Sequence, residues 1–376
     1  MIFKTGSQQV LIMGLIKDIY SLAFYNRFAD SAGVVIPSFD KERFIGLIFS
    51  EGFEGMEWKQ RLNHTTKVLH EFLPAAFPEA AALITRMIAQ LRKDNFSGGL
   101  EFMFFPDYIA AYGLDDFDIA VQSLELITQF ISCEFAVRPF IIKYGDRMIS
   151  QMTVWSAHEN YHVRRFASEG SRPRLPWAMA LPALKKDPSS ILPLLENLKN
   201  DPSEYVRRSV ANSINDIAKD HPDLVISLAA QWKGMSRETD AIIKHGCRTL
   251  LKQGHVEVLR HYGLESKEIT LQDFEILTPE VKIGDSLEFS FVITNTSAAV
   301  QTIRLEYGVY YRKANGLLSR KVFKVSEKSY PSLSVVKVVR KQSFRLITTK
   351  VFHKGEHQLS IIVNGEEKGV KSFVLI

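Results

Sequence analysis

Residues Asn160–Ser168 read NYHVRRFAS, and residues Glu204–Asn212 read EYVRRSVAN. The two VRR triplets begin at Val163 and Val206, 43 residues apart. A weaker third copy, DAIIKHGCRTL, puts Ile243-Lys244-His245 in the triplet's place. Around these copies apolar residues recur three and four apart, as in AALITRMIAQL and SLELITQFI, which is the spacing of amphipathic helices. Breakers fall between the periods: LPAAFPE, FPDY, RPRLP, KDPSS and KDHPD.

A helical period near 40 is that of HEAT-type repeats. Each repeat is a helix pair that buries its apolar face only by stacking on its neighbours, and the stack leaves a concave surface lined by one helix per repeat. The pattern holds to about Tyr262. After Glu265 the period changes to two. LEFSFVITN, QTIRLEYGVYY, SVVKVVRK, SFRLITT and HQLSIIVNG are short stretches rich in β-branched and aromatic residues, separated by IGDS, NTSAA, KANG, HKGE and VNGEE. Such stretches predict strands and turns, and without a Cys–Trp–Cys signature they predict a disulfide-free immunoglobulin-like sandwich. The fold expected is mainly α: an α-solenoid of HEAT-like repeats over 1–264, followed by a C-terminal immunoglobulin-like β-sandwich over 265–376.

The chain has 376 residues, enough for two or three domains. Its two cysteines, Cys133 and Cys247, are too few for a disulfide framework and read as reduced core thiols in a cytosolic protein. No zinc-type Cys/His spacing is present. VLIMGLI at Val10–Ile16 is short and is followed at once by Lys17-Asp18, so it reads as an amphipathic helix and not a signal peptide or a membrane span. Net charge is +5, but residues 301–354 hold 13 Lys/Arg and 2 Asp/Glu, a net of +11, leaving −6 for the rest. A basic block on an otherwise acidic chain suits a polyanionic partner; it also suits a solvated sheet face.

The candidate site residues lie on three successive helical units. In YVRRSVANSINDIAKD, Arg208, Asn212 and Asp216 are four apart and share a helix face. They suit a ligand-facing row or an inter-repeat hydrogen-bond ladder. In the first copy Arg165 and Glu169 are again four apart, and SRPRLPW follows with Arg172, Arg174 and Trp177. Its two prolines stiffen the backbone, so these side chains are expected to project from a strap. Guanidinium forks match phosphate oxygens and an aromatic ring can stack on a base or sugar; equally, Arg165–Glu169 could be an ion pair and Trp177 core. In SCEFAVRPF, Glu134 is read as lying in an apolar helix, either paired to Arg138 or held in a site. Three carboxylates among arginines suit cleavage of an N-glycosidic bond, whose transition state resembles an oxocarbenium ion. A base that already carries positive charge leaves without a general acid, so electrostatic stabilisation dominates.

SCEFAVRPF, HVRRFASEGSRPRLPW, LPLLENLKNDPSEYVRRSVANSINDIAKDHPD and KHGCRTLLKQG together resemble the AlkC branch of the HEAT-like-repeat DNA alkylation-repair glycosylases, densely over about Ser132–Gly254. LIFSEGFEGMEWKQRLNHTTKVLHEFLP matches more loosely. One departure is Ser213, where a second asparagine is expected. The resemblance implies removal of cationic bases, 3-methyladenine and 3-methylcytosine, from duplex DNA without flipping the base. It places the catalytic positions at Glu134, Glu169 and Asp216, with Trp177 approaching the lesion nucleotide, and it implies no cofactor and no metal. DNA contacts are expected from Arg164, Arg165, Arg172, Arg174, Arg208, Asn212 and His245. A C-terminal immunoglobulin-like domain that embraces the duplex is expected to add Arg320, Lys321, Arg340, Lys341 and Lys350, from RKANGLLSRK, VVKVVRK and TTKVFHKGEH. The partner expected is alkylated double-stranded DNA, with no membrane, for a monomeric cytoplasmic protein acting at the bacterial nucleoid. Two other readings remain: a non-catalytic binder of damaged DNA, and a helical scaffold for an acidic protein partner.

Overall fold

The computed structural model describes residues 16–264, 267–346 and 351–376. Most of the Val10–Ile16 segment, and Lys350, lie outside the described residues. The structure forms two compact units, the first ending at Ile217 and the second beginning at Ala218.

Among the described residues every element of the first unit is a helix. Its helices follow from sequence in the expected way. Tyr161–Gly170 starts at Asn160, whose side chain accepts from the His162 N–H, the usual satisfaction of an exposed helix-start donor. Glu204–Ile217 buries Val206, Val210, Ile214 and Ile217 along one stripe. The two repeat copies are neighbours, tied by a hydrogen bond of 2.7 Å between the Ser168 and Ser209 hydroxyls. Among the described residues no helix is long and apolar enough to cross a membrane.

The second unit carries the helices Pro222–Trp232, Arg237–Gly246, Arg248–Gln253 and Val256–His261, and then eight strands. These are β1 Ile269–Ile276, β2 Glu280–Val281, β3 Ser286–Asn295, β4 Gln301–Arg312, β5 Leu318–Tyr330, β6 Val335–Ser343, β7 Gly355–Val363 and β8 Glu366–Leu375. One sheet runs β1-β3-β6 and the other β2-β8-β7-β4-β5. Between them Leu287, Phe289, Phe291 and Ile293 of β3 meet Ile303, Leu305, Val309, Leu359 and Ile361 in one apolar core. This is the expected sandwich. Of SFRLITT, Ser343 ends β6 and residues 344–346 are irregular, while the remainder of that expected strand lies outside the described residues. β1, β5 and β8 give no clear signal in the sequence, because mostly exposed strands alternate weakly.

β4 is buried on both faces. Arg304 and Glu306 lie away from the apolar core and pair at 2.6 Å, while Arg304 also donates to Glu327 at 3.0 Å. Lys244, from the third repeat copy, closes on the same Glu327. Gly254 and Gly365 meet so tightly that a Cβ on Gly254 would fall 2.6 Å from the Gly365 carbonyl oxygen. Both glycines have positive φ, which a side chain would strain. Cys133 and Cys247 are both buried and unpaired, and burial pushes the Cys247 thiol up to about 11.

Candidate active site

The first repeat helix brings Arg165 and Glu169 onto one face, and the second brings Asp216 beside them. The carboxylates and arginines alternate in space. Arg165 donates from Nη1 to Glu134 Oε2 at 3.0 Å and reaches Glu169 Oε1 at 3.7 Å. Arg172 donates from Nη1 to Glu169 Oε1 at 2.6 Å and from Nε to Asp216 Oδ2 at 2.9 Å. The row is therefore Glu134–Arg165–Glu169–Arg172–Asp216, three acids and two bases, with one negative charge in excess. Asp216 is 2% exposed and Glu169 6%. Glu134 Oε1 and Glu169 Oε2 take no hydrogen bond among the described residues. Burial works against the charge on Arg165, but Glu134 and Glu169 outweigh it and hold its pKa above the ordinary arginine value.

Glu134 is not in a helix. It lies in the turn before the Val137–Tyr144 helix, where the Ser132 hydroxyl donates to it. Nor does it pair with Arg138. That guanidinium is fully buried and donates to main-chain carbonyls instead: Met179 at 2.5 Å, Gly170 at 2.9 Å and Arg172 at 2.8 Å. Burial, then the nearby Arg172 charge, lowers its pKa to about 10. Arg138 thus grips both ends of the strap that follows the first repeat helix.

The strap presents its tryptophan to solvent. Trp177 is 70% exposed and sits at φ +66°. A non-glycine residue in that region costs about 1–3 kcal/mol and persists only where its surroundings fix it. Here Lys59 donates to the Trp177 carbonyl and Arg138 holds the segment on either side. Arg172 does not project from the strap as expected. It is 6% exposed, because both adjacent carboxylates claim its fork.

Two family models match the chain: "DNA alkylation repair enzyme" over residues 125–242, and "Uncharacterised protein YhaZ, C-terminal Ig-like domain" over residues 270–376. The YhaZ protein of Bacillus subtilis is 41% identical over 96% of this chain and 99% of its own length. A solved structure, the Pseudomonas fluorescens alkylpurine DNA glycosylase AlkC bound to DNA containing an abasic site analog, is 34% identical. It covers 96% of this chain and 100% of its own, with a TM-score of 0.91. The chain belongs to the AlkC family of DNA alkylation repair proteins.

On this AlkC-like frame the other expected contact residues belong to both units. Arg164 is tied down: it donates to both Asp201 oxygens, at 2.6 and 3.1 Å, and to the His158 and Glu159 carbonyls. Arg174 and Asn212 are half-buried. Arg208 is three-quarters exposed and pairs with Glu204 at 2.7 Å. In the second unit His245 is exposed on the Arg237–Gly246 helix. Arg320 and Lys321 lie on β5, and Arg340 and Lys341 on β6, the edge strands of the two different sheets. All four are exposed, with Arg320 3.3 Å from Glu367 and Lys341 paired to Glu288.

Sequence reasoning missed Arg138 as the strap's anchor, and it missed Tyr205. The Tyr205 ring lies 4.8 Å from the Arg165 guanidinium and is half-exposed beside Tyr161 and His162. Burial, then Arg165 and Arg92, hold His162 below its ordinary pKa. The signal was present: at a 43-residue offset Tyr205 aligns with His162.

Proposed function

We propose that this protein is a DNA glycosylase that hydrolyses the N-glycosidic bond of cationic N3-alkylated bases, 3-methyladenine and 3-methylcytosine, in duplex DNA without flipping them. The observation that supports it is the largely buried acid–arginine row with one carboxylate in excess, whose Arg172 shares a strap with the exposed Trp177. A carboxylate needs partners when buried, and the two arginines supply them without cancelling the whole charge. The excess negative charge faces the positive charge that grows on the sugar as the C1′–N bond breaks. The bonding pair goes to the base, which leaves neutral. Water adds to C1′ and gives its proton to the carboxylate row, leaving an abasic sugar. Glu134, Glu169 and Asp216 act as a unit, and Trp177 packs against the lesion nucleotide. Arg165 and Arg172 hold the carboxylates in place.

The helical repeats over 1–264 carry the chemistry, and the sandwich over 265–376 supplies further phosphate contacts through Arg320, Lys321, Arg340, Lys341 and Lys350. Arg208, Asn212, Arg174 and His245 contribute DNA contacts from the helical part. Arg164 sets the position of its helix. The protein works as a monomer in the cytoplasm, at the nucleoid. The Pseudomonas fluorescens relative is an alkylpurine DNA glycosylase whose structure holds DNA, and that likeness supports the substrate class. The test is to incubate the protein with methylated duplex DNA and separate freed bases by chromatography. Release of 3-methyladenine is expected; DNA binding with no freed base would make this a damage binder.

A further inference from the structure

Next to the acid–arginine row lies a cleft of about 280 Å³ that shares only Trp177 with the reaction just described. Two residues connect it to the row. Phe135 follows Glu134 in the same turn, and Trp177 closes the strap. Its walls are otherwise apolar, with Trp58, Met103 and Met179 among them. Lys59, Asn63 and Asp107 interrupt those walls. Asn63 offers an amide. Asp107 takes a hydrogen bond from the Thr66 hydroxyl on Oδ2 at 2.7 Å, and its Oδ1 takes none among the described residues. The Trp58 indole N–H is buried and has no partner among the described residues, and a buried donor without an acceptor is costly.

The size and chemistry of this cleft select a ligand class. Pockets for drug-sized ligands run from about 300 to 1,000 Å³, so this one admits a single small ring system. No arginine lines it, and Lys59 donates to the Trp177 carbonyl, so a phosphate finds no fork. Flat aromatic walls suit a flat aromatic ring. A carboxylate oxygen without a donor suits an exocyclic amine. Burial pushes the Asp107 carboxyl up, with the Thr66 hydroxyl working the other way, so a further donor would stabilise its charged form.

We propose that this cleft binds an amino-bearing nucleobase free of its sugar, the product leaving the neighbouring row. The ring lies between Trp58 and Phe135, its amine on Asp107. That source for the ligand rests on the glycosylase reading; the recognition chemistry does not.

The test uses the full chain without DNA. Adenine, 3-methyladenine and thymine are titrated in turn while tryptophan emission is followed. Trp58 and Trp177 line the cleft, whereas Trp155 and Trp232 are buried away from it. Saturable quenching by adenine and 3-methyladenine is expected, at least about tenfold weaker for thymine, which has no exocyclic amine, and for Asp107→Asn. Ala110→Phe, which fills the cleft, removes saturation with an unchanged circular dichroism spectrum. Adenosine, with its sugar attached, does not saturate. Quenching that stays linear, or that ignores both Asp107→Asn and Ala110→Phe, overturns the proposal. Base release from DNA is scored separately. Release without base binding defeats only the cleft, and base binding without release defeats only the glycosylase reading.

Discussion

The two VRR copies share a sequence and differ in use. In each, the first arginine clamps the loop before its own helix. Arg164 donates to the carbonyls of His158 and Glu159, and Arg207 to those of Asp201 and Pro202, at the same offsets of six and five residues. The second arginines part ways. Arg165 sits mostly covered between Glu134 and Glu169, whereas Arg208 stands in solvent beside Glu204. What separates them is the next turn, since Glu169 has Asn212 as its counterpart 43 residues on. The third copy diverges further, and its Lys244 pairs with Glu327 within the second unit. A repeat thus preserves the contacts that build the stack. The site arises where the copies stop matching.

The comparison breaks most sharply at Arg172, the residue joining the two copies. Arg172→Ala leaves Glu169 and Asp216 buried without their shared partner, which should cost about 3–5 kcal/mol. Urea unfolding of the full chain measures it; a loss under about 1 kcal/mol would mean that water replaces the guanidinium freely. Next comes the contrast of second arginines. Arg165→Lys loses the fork that serves two carboxylates, and base release should fall by about ten- to a hundredfold. Arg208→Lys should leave the single-turnover rate as it is, and equal losses in the two variants would erase the distinction.

A smaller effect separates the first arginines. Arg164→Ala should destabilise by about 2–3 kcal/mol and Arg207→Ala by about 1–2 kcal/mol, since Arg164 adds a forked pair to Asp201 to its two carbonyls. Thermal unfolding of both variants checks the order. The smallest effect lies in the third copy. Burial opposes the charge on Glu327, but Lys244 and Lys324 outweigh it and bring its pKa down to about 2 from 4.5. A carboxylate depressed on folding stabilises fully above its unfolded value. Acid titration of the second unit's stability should therefore fall from about pH 4.5 toward pH 2, and Glu327→Gln should flatten that slope.

Much of this was legible in the sequence, and the reason differs residue by residue. The 43-residue offset and the change of period after Glu265 encode local structure, which apolar spacing reports directly. Arg165 and Glu169 could be put together because helix geometry fixes which side chains share a face, whereas Arg208, Asn212 and Asp216, read the same way, divide between solvent and interior. Glu134 and Arg138 could not be placed this way. Four residues apart, they resemble a helical ion pair, but the chain reaches helix only at Val137, and each group finds a partner more than 30 residues away. The prolines around Arg172 suggest a projecting side chain, and it is instead drawn inward by two carboxylates from different helices. Long polar side chains go where tertiary partners are, and spacing along one chain does not report those.

The central claim is that the carboxylate row, and not the fold alone, breaks the bond. The most direct measurement is single-turnover release of 3-methyladenine by wild type, Glu169→Gln and Asp216→Asn, with duplex affinity measured alongside at fixed salt. Release is predicted to slow by about a hundredfold or more in each variant, with affinity held within about threefold. Release at the wild-type rate in the Glu169→Gln/Asp216→Asn double variant would contradict that claim.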